Sequence, residues 1–242
     1  VSVVGDFNAW DGRRMPMRSD LFNRTAWQLR TRTGVAVYAW MPLLAFALPE
    51  TDPAHDHWVQ ATNGRQPGSV QRLSPFDPLV RQAVHDIYED LSAAVIPQGV
   101  LFSDDATLSD FEDASEPAYR DWGLPGDVAA IRADPQLALD WSNRKIHYLT
   151  EFTAELGGLL RADHENVRTA RNLFAAVVSD PQSQQWLGQS MADALANYDY
   201  VALMAMPYLE GHERRPGRWL AQLAAGVAAQ PGGLDKTIFE LQ

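Results

Sequence analysis

Carboxylates stand at two points of this sequence where an apolar run stops abruptly. In VLFSDDATLSDFED (Val100 to Asp113) the adjacent Asp104 and Asp105 end a short apolar run, and Asp110, Glu112 and Asp113 follow. In MAMPYLEG (Met204 to Gly211) an apolar run meets Pro207 and Tyr208, and Glu210 lies just beyond. Two carboxylates flanking a glycosidic bond can hydrolyse it, one giving a proton and the other serving as base or nucleophile. Tyr208 offers an amphipathic ring that can stack on a sugar face, and Trp40 and Trp122 are further stacking candidates. In VRTARNLFA (Val167 to Ala175) Arg171 and Asn172 could orient a carboxylate or a sugar hydroxyl. Each has a structural alternative on the residues alone. Strand-end carboxylates cap turns, rings fill cores, and arginines form buried ion pairs. Side chains alternate along a strand, so Asp104 and Asp105 cannot both face one ligand while the strand continues. One can face a substrate while the other holds a loop.

Other chemistries find less support. There is no cysteine, which excludes disulfides, thiolate nucleophiles and Cys-ligated zinc. His55-Asp56-His57 has two-histidine spacing but sits in a proline-rich stretch and reads as a solvated loop. No G-x-S-x-G is present, and no glycine-rich phosphate loop of the Rossmann or P-loop type, which disfavours nucleotide binding. Neither a metal nor a cofactor is expected.

The elements that must position these residues alternate along the chain. Val1–Val4, Val35–Met41, Val100–Phe102, Val167–Phe174, Tyr200–Met206 and Thr237–Leu241 are β-branched or apolar runs that read as strands. Between them Val80, Val84, Ile87, Leu91 and Val95 form a helical stripe, with Asp77 as N-cap and Pro78 at the first helical position. Similar stripes predict helices over 139–160, 186–198 and 219–227. Strand–helix alternation means an α/β fold with a parallel sheet. Without a phosphate loop, a (β/α)8 TIM-type barrel is the better expectation. Six strand candidates are fewer than eight, so the first and last β/α units are expected to be missing. The long connections 43–75 and 104–135 follow strand C-termini, where a barrel carries its active-site loops.

The chain has 242 residues and a formal net charge of −11. Such a surface disfavours duplex nucleic acid and suits a cationic ligand. No apolar run reaches the roughly 20 residues needed to span a bilayer.

From Arg14 onward, RRMPMRSDLFNRTAWQLRTRTGVAVYAWMPLLAF, RLSPFDPLVRQAVHDIYEDLS, GVLFSDDATLSDFEDAS, TARNLFA, YDYVALMAMPYLEG and KTIFELQ resemble, in order, the C-terminal hydrolase domain of bacterial poly-β-1,6-N-acetylglucosamine N-deacetylases. The resemblance implies a barrel of glycoside hydrolase family 153 over 14–242. It implies cleavage of the β-1,6 backbone of partially de-N-acetylated polymer, a biofilm exopolysaccharide, in the periplasm or at the outer membrane, with an export partner there. Asp104, Asp105 and Glu210 fall in the family's acidic catalytic motifs, and Ser103 stands where the family usually has His. In that family a separate N-terminal domain deacetylates, so deacetylase activity is not expected here. A non-catalytic binding domain guiding cationic polymer toward export is the alternative reading. VSVVGDFNAWDGRRMPMR instead resembles the N-terminal β-module of glycogen branching enzymes. Residues 1–13 are therefore set apart as an atypical strand and turn, with Phe7, Asn8 and Trp10 as α-glucan contacts in a third reading. No branching-enzyme catalytic motif follows.

Overall fold

Five of the six apolar runs become strands in the computed structural model, which describes residues 19–58, 72–95, 97–106, 108 and 115–241. They are β1 (Tyr38–Met41), β2 (Gly99–Phe102), β3 (Arg168–Phe174), β4 (Tyr200–Ala205) and β5 (Thr237–Leu241). The candidate strand Val1–Val4, the 13/14 boundary and the glucan-type contacts Phe7, Asn8 and Trp10 lie outside the described residues, as do Asp110, Glu112 and Asp113. The five strands form one parallel sheet in the order β1-β2-β3-β4-β5. A doubly wound sheet reverses its strand order at a switch point. This one does not, and its sequential order is that of a (β/α) barrel. Among the described residues β1 and β5 are its two edges.

Strand alternation divides the sheet into two faces. Ala39, Val100, Phe102, Leu173, Val201, Leu203 and Ala205 point to the helices and join the large buried core. Leu101, Ala170 and Ala202 point the other way and form a small separate cluster with Tyr38, Trp40 and Tyr200. That second face is the interior of the barrel arc.

Helices cover the first face. α1 (Ser19–Thr33) precedes β1, and α2 (Pro78–Ala94) precedes β2. Asp77 caps α2 by accepting from the Leu79 amide at 2.8 Å, with Pro78 at the start of the helix. α3 (Ser115–Asp121), α4 (Val128–Ala133) and the 29-residue α5 (Pro135–Asp163) lie between β2 and β3. Asp134 caps α5, and Trp141, Leu149, Phe152, Leu156 and Leu160 are its buried stripe. α5 approaches the sheet closely. A Cβ added at Gly157 would lie 3.2 Å from Thr169 Cγ2.

After β3 come α6 (Ala176–Ser179), α7 (Gln184–Leu187) and α8 (Met191–Asn197). After β4 come α9 (Pro216–Ala228) and α10 (Gly233–Lys236). The helix expected over 186–198 is thus two pieces. Gly188 takes a φ of 63°, in the left-handed region, and ends α7, and Ser190 caps α8. The stretch 104–135, expected to be loop, contains α3 and α4. α1 was not legible because its apolar residues form no buried stripe: Leu21 and Trp27 are exposed, Phe22 and Leu29 half-buried, and of residues 21–33 only Ala26 is buried.

Candidate active site

The interior face of the sheet lines a cavity of about 1150 Å³. Small side chains make the space, because Ala170 and Ala202 occupy the middle layer beside Leu101. Trp40, Tyr38 and Tyr200 wall it. Tyr38 lies edge-on to Tyr200 at 6.4 Å, and the Tyr200 hydroxyl accepts from Arg168 at 2.6 Å. Burial, with the neighbouring Tyr200, pushes the Tyr38 phenol up to about 12. Toward the strand C-termini the lining becomes Met206 and Glu240.

β2 ends at Phe102, and the two adjacent aspartates separate in the turn that follows. Asp105 turns to the segment after β1. Its carboxylate accepts from the backbone amides of Leu43 at 3.0 and 3.1 Å, Leu44 at 2.7 Å and Ala45 at 2.6 Å. Asp104, half-buried just past β2, accepts from the Ser103 hydroxyl at 3.1 Å. Ser103 therefore supplies a hydrogen-bond donor to Asp104. Glu210 is half-buried in the turn after β4, where its amide donates to the Met206 carbonyl at 3.0 Å.

Sequence reasoning passed over Glu240. It is the fourth residue of β5, and its side chain accepts from Asn172 Nδ2 at 2.8 Å. Asn172 is buried and also donates to the Ala202 carbonyl at 3.0 Å, so it is locked between β4 and β5. Burial raises the Glu240 carboxyl above its ordinary range. The Asn172 hydrogen bond opposes this, and the negative charge of Asp104 adds to it. Glu240 and Asp104 are therefore electrostatic neighbours at the C-terminal end of the sheet. On this edge strand Ile238, Phe239, Glu240 and Leu241 all line the cavity, so alternation within TIFEL does not single Glu240 out.

The stacking and orienting candidates divide. Trp40 lines the cavity. Tyr208 is 57 % exposed in the turn after β4. Trp122 does not line the cavity. It packs against Phe76, Tyr119 and Tyr148 at ring distances of 5.5–5.9 Å. Arg171 is likewise corrected. It is one residue out of phase with Asn172, so it points to the helix side, where it is buried and donates to the Ser103 and Phe102 carbonyls. It thereby holds the backbone just before Asp104. Of the loop histidines, His57 pairs with Asp77 at 2.8 Å and His55 bonds the Leu48 carbonyl at 2.7 Å.

Residues 6–242 match the model of the family GHL13, described as "Hypothetical glycosyl hydrolase family 13". The chain belongs to this family. It is similar to the poly-beta-1,6-N-acetyl-D-glucosamine N-deacetylases of Escherichia coli strain K12 and of Escherichia coli O157:H7. Each is 44% identical over 237 residues, which cover 95% of this chain and 35% of the relative. The chain thus spans about a third of the length of the curated relatives it matches. Among solved structures, the glycoside hydrolase domain of PgaB (BpsB) from Bordetella bronchiseptica is 50% identical with a TM-score of 0.86, covering 94% of this chain and 66% of that one. A β-galactosidase from Rahnella sp. R3 shares the fold at a TM-score of 0.58 and 15% identity, covering 85% of this chain and 34% of that one. The fold of this GHL13 domain is that of the TIM-barrel glycosidases. No helix among the described residues is long and apolar enough to cross a membrane.

Proposed function

We propose that this GHL13 domain hydrolyses the β-1,6 backbone of partially de-N-acetylated poly-N-acetylglucosamine. The observation that carries the reading is the carboxylate pair at the C-terminal end of the sheet. Glu240 is held by Asn172 and raised by burial, and Asp104 lies close enough for its charge to add to that rise. Carboxylates whose environments differ can divide acid and base roles. In this reading the pair exchanges the proton with the glycosidic oxygen, and Glu210 stands by on the β4 turn as a further carboxylate toward the sugar. Asp105 and Arg171 position Asp104, one through the loop after β1 and the other through the Ser103 carbonyl. Trp40 supplies a ring surface inside the cavity, and Tyr208 one outside it.

The substrate class rests on the relatives' names and on charge. Deacetylated units are ammonium cations, and three carboxylates at one end of a chain of net charge −11 attract them. Membership of a glycosyl hydrolase family favours catalysis over the non-catalytic binding role. Location in the periplasm or at the outer membrane, with an export partner there, belongs to the same proposal and rests on the family resemblance. Deacetylation does not, since in the resembled family it belongs to a separate N-terminal domain.

The test is incubation of the purified chain with the partially deacetylated polymer and mass spectrometry of the products. Short oligosaccharides are expected, at a rate that falls as sodium chloride screens the carboxylates. Intact polymer after incubation with folded protein would remove the proposal.

A further inference from the structure

The turn after β4 carries a second feature that hydrolysis does not use. His212, Arg214, Arg215, Arg218 and Trp219 surround a surface recess of about 630 Å³, with Glu213 as its one acid. The His212 ring stacks on Trp219 at 5.0 Å and 20°, giving the recess a flat aromatic wall. Trp219 is buried, while the three arginines are exposed. Among the described residues none of the three guanidinium groups has an ion pair or a hydrogen bond, although acidic residues outnumber basic ones 31 to 20 along the chain.

Stability does not explain this arrangement. Arg215 is the residue before α9 and Arg218 lies in its first turn, where the helix dipole disfavours positive charge. Three like charges within five positions also repel one another. A local rule broken without a compensating contact points to a ligand. Guanidinium forks match the oxygens of phosphate in paired hydrogen bonds, and a tetrahedral dianion can engage more than one fork at once. The recess begins at Gly211, next to Glu210, so it adjoins the carboxylate site, but its cationic wall repels the ammonium units of the proposed polymer.

We propose that the recess formed by His212, Arg214, Arg215, Arg218 and Trp219 is a binding site for a phosphate group. The group is either free phosphate or the headgroup phosphate of an anionic lipid. The readout is binding, so the proposal stands or falls separately from hydrolysis.

The test titrates inorganic phosphate into the chain and follows the arginine side-chain NMR signals, with sodium chloride at matched ionic strength as control. The Arg214→Gln/Arg218→Gln variant is measured in parallel. Both residues are exposed, and a thermal melt verifies its fold. Saturable shifts at the arginine signals with phosphate and not with chloride are expected, weakened about tenfold or more in the variant, the range for loss of charge-assisted hydrogen bonds. Sedimentation with phosphatidylglycerol vesicles then separates the sources. Co-sedimentation that phosphate competes away and the variant lacks assigns a lipid headgroup. Phosphate binding without vesicle binding assigns free phosphate. Equal shifts with chloride, or unweakened binding by a folded variant, would overturn the site.

Discussion

Replacing Asp105 should unfold the protein more readily than replacing Asp104, although the two are adjacent and chemically identical. The Asp105 carboxylate satisfies three backbone amides, those of Leu43, Leu44 and Ala45. Leu43 and Leu44 are fully buried. Leaving a buried donor unsatisfied costs about 1–3 kcal/mol. Asp105→Ala strands two such donors and the amide of the half-buried Ala45, and the lower end of that range for each gives about 3 kcal/mol. For a domain of this size each kcal/mol moves the midpoint by roughly 2–4 °C, so Asp105→Ala should melt roughly 6–12 °C below wild type. Asp104 loses only the Ser103 hydroxyl bond, about 1 kcal/mol or less, and should melt within about 4 °C. Thermal melts followed by circular dichroism measure both. Equal losses in the two variants, or an Asp105→Ala midpoint within about 2 °C of wild type, would refute the assignment of Asp105 as the loop anchor.

Three further outcomes follow from the same geometry. The Glu240 carboxyl is raised in the folded protein, so its stabilising contribution is complete below its ordinary value and is lost as pH rises through the raised one. Glu240→Gln should therefore match wild-type stability near about pH 4 and exceed it near about pH 8, as read by urea unfolding at each pH. Trp122→Ala should cost about 2–3 kcal/mol, below the range for a fully buried ring, with little change in polymer affinity. Trp40→Ala should weaken polymer affinity several-fold, so affinity electrophoresis and melting curves should rank the two variants in opposite orders.

Much of this was legible because local signals agreed with the fold. β-Branched and aromatic runs located β1 to β5, and Asp77-Pro78 located the start of α2, because capping chemistry is set by adjacent residues. The expectation that one of Asp104 and Asp105 holds a loop is met by Asp105, which binds the segment after β1. Which of the two does so depended on where the chain after β1 returns, and no local pattern encodes that. Arg171 and Asn172 are neighbours in sequence but face opposite sides of β3, so a motif reading joined what the strand separates. Glu240 was hidden because its meaning comes from Asn172, 68 positions away, and from Asp104 beyond that. The split of the expected 186–198 helix turned on one left-handed residue, Gly188.

The central claim is that the carboxylates at the C-terminal end of the sheet cleave the polymer rather than merely hold it. The most direct measurement is turnover and affinity together, for wild type and Asp104→Asn, on partially deacetylated poly-β-1,6-N-acetylglucosamine. Loss of at least about a hundredfold in kcat, the usual scale of acid–base catalysis, with the melting midpoint and polymer Kd retained, is the predicted result. Undiminished turnover in Asp104→Asn, or a wild-type chain that binds the polymer and never shortens it, would contradict the account.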